Sequence, residues 1–330
     1  MRVFFCGGVG ESMSEEMDLC KAYGVSLEEG RAILTDKRMA KALLPVRRRN
    51  SHKGSYGRAA IVAGSEQYTG AAYLSAAACL RSGAGYTVLF APKGILSLYA
   101  LKSPEILLKH TNRGSGYAFN EKMMGALLDY DSIAYGMGMG ATKETFKGLA
   151  YLLKRYTGKL VIDADGLNSL ACFAGEELEG LFLQKKCDVI ITPHSKELSR
   201  LNGKTVEEIL KDCVQSAKDF AKKYKVNVLL KNALSVITDG ERVALNATGN
   251  SGQAKGGSGD VLSGVIAGLC AGGLTAFEGG VLGAYLVGKA AELGTVDFGE
   301  YSLTASELIA YLPKAFLFVA EDTDENGDKQ

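Results

Sequence analysis

The chain has 330 residues, 47% of them hydrophobic, which is enough for a sizeable core in one large α/β domain or two small ones. Its net charge of +1 excludes the broad basic field that nucleic-acid binding needs, so an anionic ligand is expected to be small and met locally. No apolar run reaches the roughly 18 to 20 residues of a membrane span, and the N-terminal Val-Phe-Phe is too short for a signal-peptide core. The seven cysteines (6, 20, 79, 172, 187, 213 and 270) are dispersed and form no C-x-x-C pair, so they read as reduced residues of a cytoplasmic protein. Glycine is the outlier, at 41 residues; with no collagen-like period, the excess belongs to turns and ligand-facing loops.

Residues 1 to 34 lack strand alternation and are expected to form a peripheral arm with a short amphipathic helix around Glu15 to Tyr23. From Thr35 a capped helix runs to Pro45, followed by the solvated Arg47, Arg48 and Arg49. The glycine-punctuated loop His52 to Arg58 leads into a strand at 59 to 63. A small-residue helix then runs from about 71 to 82 and is ended by Gly83-Ala-Gly85, and the next strand is at 86 to 90. The alternation continues with helix 93 to 101, strand 105 to 108, helix 121 to 129, strand 132 to 135, helix 143 to 155 and strand 160 to 163. Further strands are expected at 187 to 191, 226 to 230, 235 to 238 and 242 to 246, joined by helices near 176 to 183 and 205 to 223, and nearly all is helix after 260. This pattern implies a mainly parallel central sheet covered by helices on both faces, in one domain over 35–320, with an acidic tail at 321–330. Small and apolar residues along 277 to 293 suit either an interface between copies or burial against the sheet.

In such a sheet ligands sit outside the carboxyl ends of the strands. The positions just past the strands are unusually informative: Gly64-Ser65, Gly136-Met-Gly138-Met-Gly140, Asp163-Ala-Asp165-Gly-Leu-Asn168, Thr192-Pro-His194-Ser-Lys-Glu197 and Lys231-Asn232-Ala233-Leu234-Ser235. Taken singly, His194 reads as an N-terminal helix residue and the glycines as bare turns; five such loops on one edge do not. A sixth, Gly256-Gly257-Ser258-Gly259-Asp260, runs straight into apolar residues at 261, 262, 265, 266 and 269, which is helical spacing. A glycine-rich turn opening a helix is an anion site, because free backbone N–H groups and the positive end of the helix dipole point at the ligand. Asp260 there is either a helix cap or a base that reaches a hydroxyl while the backbone holds the phosphate which that hydroxyl attacks.

Zinc is disfavoured, because His52, His110 and His194 are far apart in sequence and no Cys or His pair has ligand spacing. Magnesium suits a phosphate site better. Asp163, Asp165, Asn168 and Glu197 are its candidate ligands, directly or through water; capping of the following helix is an equal alternative for the two aspartates. Neither a Walker A motif nor a dinucleotide G-x-G-x-x-G in strand-turn-helix context is present.

The run His52-Lys-Gly-Ser-Tyr-Gly-Arg58, Tyr68-Thr-Gly-Ala71, Ser82-Gly-Ala-Gly85, Pro104-Glu105, Gly136-Met-Gly138, Asp163 to Asn168, Thr192-Pro-His194, Leu230-Lys231, Gly249 to Gly252 and Gly257-Ser-Gly-Asp260-Val-Leu-Ser-Gly264 resembles the NAD(P)H-hydrate dehydratase family over about residues 35 to 312. The resemblance implies a ribokinase-like fold and use of ADP or ATP to return hydrated NADH or NADPH (the S epimer) to the working cofactor, with Mg²⁺. It further implies that Ala71, Gly138, His194 and Asp260 contact the hydrated dinucleotide. Lys231 to Ser235 with Gly257, Ser258 and Gly259 would hold the adenine nucleotide, and the protein would be a homo-oligomer, a tetramer. Two residues depart from the family's pattern: Asn232 stands where Gly is usual and Met137 where Pro is usual. Asn tolerates positive φ better than other non-glycine residues, so the first change is compatible with a glycine-like turn. Two rival readings remain, a kinase of the same fold acting on a thiazole or pyrimidine alcohol, and a nucleotide-binding sensor without catalysis.

Overall fold

The computed structural model describes residues 32–321 apart from 113 and 115, so the expected helix around Glu15 to Tyr23 and nearly all of the acidic tail lie outside the described residues. Ten strands are laid down in chain order: β1 (Ile33–Leu34), β2 (Arg58–Val62), β3 (Tyr86–Ala91), β4 (Leu107–His110), β5 (Ser132–Tyr135), β6 (Lys159–Ile162), β7 (Asp188–Ile191), β8 (Asn227–Leu230), β9 (Ser235–Thr238) and β10 (Val243–Asn246). They form one sheet in the order β1-β10-β9-β8-β7-β6-β5-β2-β3-β4. Pairing is parallel throughout except where β9 runs antiparallel to both β8 and β10.

The helices are α1 (Lys37–Leu43), α2 (Thr69–Arg81), α3 (Lys93–Ala100), α4 (Glu121–Leu127), α5 (Lys143–Arg155), α6 (Asp165–Phe173), α7 (Glu177–Leu183), α8 (Ser195–Asn202), α9 (Val206–Lys211), α10 (Cys213–Tyr224), α11 (Ser258–Ala271), α12 (Ala276–Ser302) and α13 (Ala305–Ala320). Strand residues alternate between two cores. Ala59 and Ile61 of β2 join Val161, Ile190 and the apolar faces of α2, α11, α12 and α13; Ala60 and Val62 join Ile162, Ile191 and helices α4 to α10. On the first face α11 and α2 meet at backbone distance. A Cβ built on Gly264 would lie 2.1 Å from the Ser75 carbonyl oxygen, and one on Gly268 2.8 Å from that of Cys79. Helices this close leave no room for side chains, which is what the small residues of α2 allow.

Several boundaries differ from the sequence reading. Residues 33 and 34, assigned to the arm, pair in parallel with β10. The strand expected at 105 to 108 lies two residues later, and helix 205 to 223 is two helices broken at Asp212, whose φ of −148° ends α9 while its carboxylate caps α10. Helices α6 and α8, expected only as the helices that follow Asp165 and His194 and without bounds, span Asp165–Phe173 and Ser195–Asn202. The stretch 277 to 293 is mostly buried within its own chain; of the ambiguous alternatives, burial against the sheet holds for most of it.

Candidate active site

Strand order reverses beside β2, with β3 and β4 on one side and β5 on the other, and in such sheets ligands sit at that switch point. The loops after β2 and β5 are tied together there by Gly64, whose N–H donates to the Met137 carbonyl at 2.8 Å. Met137, fully buried, serves the core rather than the ligand. Gly138, at φ +64°, brings its backbone so near α2 that a Cβ would stand 2.9 Å from that of Ala71. The two residues expected to touch the dinucleotide are thus neighbours.

Next along the same edge, Asp163 and Asp165 diverge from Ala164, a non-glycine residue held at φ +48°. Asp165 accepts the Gly140 N–H at 2.8 Å and so fixes the loop after β5. Asn168 approaches Asp165 at 3.4 Å and accepts from Arg200 at 2.7 Å. Asp163 is almost fully buried: Oδ1 accepts from Lys231 Nζ at 2.8 Å and Oδ2 from Ser263 Oγ at 2.7 Å. Burial works against the Lys231 ammonium, but Asp163 and Glu197, with Asp260 adding to them, hold its pKa above the ordinary lysine value.

The loops after β7 and β8 bridge at His194 and Lys231. His194 caps α8, its Nδ1 accepting from the Glu197 N–H at 3.2 Å while Glu197 accepts the His194 N–H at 2.9 Å. That bond leaves the proton on Nε2, and burial followed by the Lys231 charge pushes the imidazole pKa below its usual value, so the ring is neutral. Glu197 is buried, which raises its pKa against the opposing pull of Lys231. Asn232 does not use the positive φ that its place suggested, since among the described residues only Ala164 and Lys225 do so outside glycine. Its side chain instead links Ser195 Oγ at 3.3 Å to Cys213 Sγ at 3.4 Å.

The glycine-rich turn enters α11 with Gly257 at φ +101° as N-cap and no side-chain cap. The Ser258 hydroxyl is buried without a hydrogen-bond partner, and its N–H belongs to the same uncapped turn. Gly259 lies so that a Cβ would be 3.5 Å from Lys231 Nζ. Asp260, in the first turn, makes no side-chain cap; burial, then Asp163 and Asp165, with Lys231 opposing, push its carboxyl up to about 7.

Ala71, Gly138, His194, Lys231, Gly259 and Asp260 therefore converge at one sheet edge. Asp163, Asp165, Asn168 and Glu197, the expected magnesium ligands, are each engaged by protein groups, and among the described residues no three His, Cys, Asp or Glu side chains form a ready-made cluster for a metal ion. A cavity of about 780 Å³ between β4 and α4, lined by Phe90, Lys109, His110 and Met123 among others, contains none of the site residues. The loop His52 to Tyr56 precedes β2 and so lies at the opposite edge. Sequence reading missed Ser263 and Arg200; the signal for Ser263 was its position one turn after Asp260.

The sheet covered on both faces, with a glycine-rich helix N-terminus and a buried carboxylate past the carboxyl ends of its strands, has the ribokinase-like fold. The sequence model of NAD(P)H-hydrate dehydratase matches residues 59–314, and the chain belongs to that family. It is 36% identical over 302 residues to the bifunctional NAD(P)H-hydrate repair enzyme of Thermofilum pendens, covering 88% of this chain and 57% of that protein. The Moorella thermoacetica enzyme of the same description is 36% identical over 287 residues, covering 85% and 53%. The chain thus spans little more than half the length of these relatives. The ADP/ATP-dependent NAD(P)H-hydrate dehydratase of Bacillus subtilis, co-crystallised with ATP/Mg²⁺, superimposes with a TM-score of 0.74 at 28% identity, covering 86% of this chain and 97% of that one. No described helix is long and apolar enough to cross a membrane.

Proposed function

We propose that this chain uses ADP or ATP to dehydrate hydrated NADH or NADPH, as a hydro-lyase of metabolite repair. The observation that carries the reading is Asp260: a carboxylate with its pKa near neutrality, in the first turn of an uncapped helix, beside a charged lysine. Water is a poor leaving group from a carbon beside a ring nitrogen, whereas phosphate leaves readily. Asp260 takes the hydroxyl proton as that oxygen attacks the terminal phosphorus, forming one O–P bond and breaking the bond to the nucleotide. The N–H groups of Gly257 to Gly259 and the Lys231 ammonium stabilise the transferred group. The ring-nitrogen lone pair then expels phosphate, and loss of a proton from the adjacent carbon restores the ring double bond. Ala71, Gly138 and His194 hold the dinucleotide, and Lys231 to Ser235 the adenosine half. A Mg²⁺ ion arriving with the nucleotide would take its ligands chiefly from phosphate and water, and would neutralise charge on the transferred group.

The test is incubation with NADH hydrate and ADP or ATP, following recovery of reduced-nicotinamide absorbance together with inorganic phosphate. A stable phosphorylated product would instead make this a small-molecule kinase, and binding without phosphate release a sensor. For the dehydratase, kcat/KM is expected to rise about tenfold per pH unit up to about pH 7 and then level off, as the base form of Asp260 is populated. A flat profile through that range excludes Asp260 as the base.

Bulky replacements of Asn232 are expected to weaken adenine-nucleotide binding by about tenfold and leave binding of the hydrated dinucleotide nearly unchanged, because its side chain ties the β8 loop to α8 and α10. Equal loss of both ligands in calorimetry makes the loop a general structural element. The homo-oligomer belongs to this reading too. The exposed Val296 and Tyr301 at the end of α12 are available to it, and a monomer by light scattering at micromolar concentration refutes it.

A further inference from the structure

We infer that Asp163 and Ser263 are positioning residues that aim the Lys231 ammonium at the glycine-rich turn, and that Asp163 is not a metal ligand. The inference rests on the nucleotide-binding reading of that turn.

Three separated pieces of chain meet in this one contact. Asp163 follows β6, Lys231 follows β8, and Ser263 lies on α11 one turn beyond Asp260. Both carboxylate oxygens of Asp163 are already used, Oδ1 by Lys231 at 2.8 Å and Oδ2 by Ser263 at 2.7 Å, and its side chain is 2% exposed. A cation at either oxygen has to displace a donor or share that oxygen with an ammonium. Lys231 is 22% exposed and its Nζ lies 3.5 Å from where a Gly259 Cβ would stand, so the same ammonium that Asp163 grips from below is open to the turn above. Lysine has a flexible stem and swings toward solvent when nothing holds its head. Asp163 supplies the hold, and the positive φ of Ala164 turns its side chain away from the path taken by Asp165, which is spent on the Gly140 N–H.

Ser263 adds a second function. Its hydroxyl is buried and donates into the carboxylate, which fixes the Asp163 rotamer. The same bond pins the rotation of α11 about its axis, and that rotation sets where Asp260 stands relative to Lys231. Glu197 and Asp260, the other acids around Lys231, make no hydrogen bond to it among the described residues, so neither replaces Asp163 as its anchor.

The test is a double-mutant cycle on ATP affinity, measured by titration calorimetry with Mg²⁺ and again with EDTA in its place. Asp163→Asn is expected to weaken ATP by about tenfold in both conditions, Lys231→Met by about as much, and the double variant no further than Lys231→Met alone. Ser263→Ala, which removes one hydroxyl and serves where Asp163→Asn folds poorly, is expected to weaken ATP by about threefold in the wild-type background and not at all beside Lys231→Met. Losses that add, or an Asp163→Asn effect confined to Mg²⁺, overturn the inference and return Asp163 to the metal. Wild-type protein that binds no ATP overturns the nucleotide reading itself and the inference with it.

Discussion

Asp260→Asn is expected to lower turnover by about 10²-fold to 10⁴-fold, the usual worth of a general base, while nucleotide affinity holds or rises as a negative charge leaves the phosphate site. The same change is expected to raise stability above neutral pH. Burial lifts the folded-state pKa of Asp260 to about 7 from an ordinary carboxylate value, so between those limits the folded chain binds the proton more tightly than the unfolded one does. Stability from this group is therefore full at low pH and lost as pH rises through about 7, on the order of a few kcal/mol. Asn cannot ionise and escapes that loss. Thermal melts at about pH 8 should show the variant more stable than wild type, with the difference shrinking toward pH 5. Were Asp260 only a helix cap, Asn would cap as well and turnover would persist; near-normal turnover in a folded variant would falsify the catalytic assignment.

Gly264→Ala is expected to destabilise the fold by about 2 to 4 kcal/mol, since the added methyl falls 2.1 Å from the Ser75 carbonyl oxygen and 3.0 Å from the Ala78 Cβ. Neither neighbour is the end of a flexible side chain, so α2 and α11 must part. That movement also carries Asp260 away from Ala71, and turnover should fall by more than the folded fraction does. Gly180→Ala is the control. It lies inside α7 with nothing within 4 Å of its new methyl, so it is expected to stabilise by about 0.5 to 1 kcal/mol, as alanine does in a helix. Urea denaturation of both variants separates the two cases; an unaffected Gly264→Ala would mean that the helices are not locked by this contact.

What was legible in the chain was what local chemistry punctuates. Helix 143 to 155 starts at a threonine that accepts the Thr145 N–H and carries Lys154 and Arg155 in its last turn, and it lies where it was expected. Strands 132 to 135 and 235 to 238 are likewise in place. The break at Asp212 has no glycine or proline to mark it, and the two residues of β1 are too few for any periodicity. At the site, single loops were readable because glycines and acids follow apolar runs. Their partnerships were not: Asp163 meets Lys231 across 68 residues and Ser263 across 100, separations at which no sequence pattern says whether a carboxylate awaits a metal or already holds an ammonium.

The contact between α2 and α11 also governs when this protein can come into being on the ribosome. Ser75 waits for Gly264, and the Ala267 carbonyl closes on the Ser132 hydroxyl across 135 residues. A nascent chain that has emerged only as far as β10 has all ten described strands, but on one face of them it has only the cover that α2 and its neighbours give. The bare backbone of α2 between Ser75 and Cys79, and the apolar strand residues beside it, stay open until the last three helices arrive. Slow or interrupted synthesis beyond β10 is therefore expected to leave apolar strand residues uncovered, and a chaperone that shields this protein would be needed most while α11 to α13 are being translated.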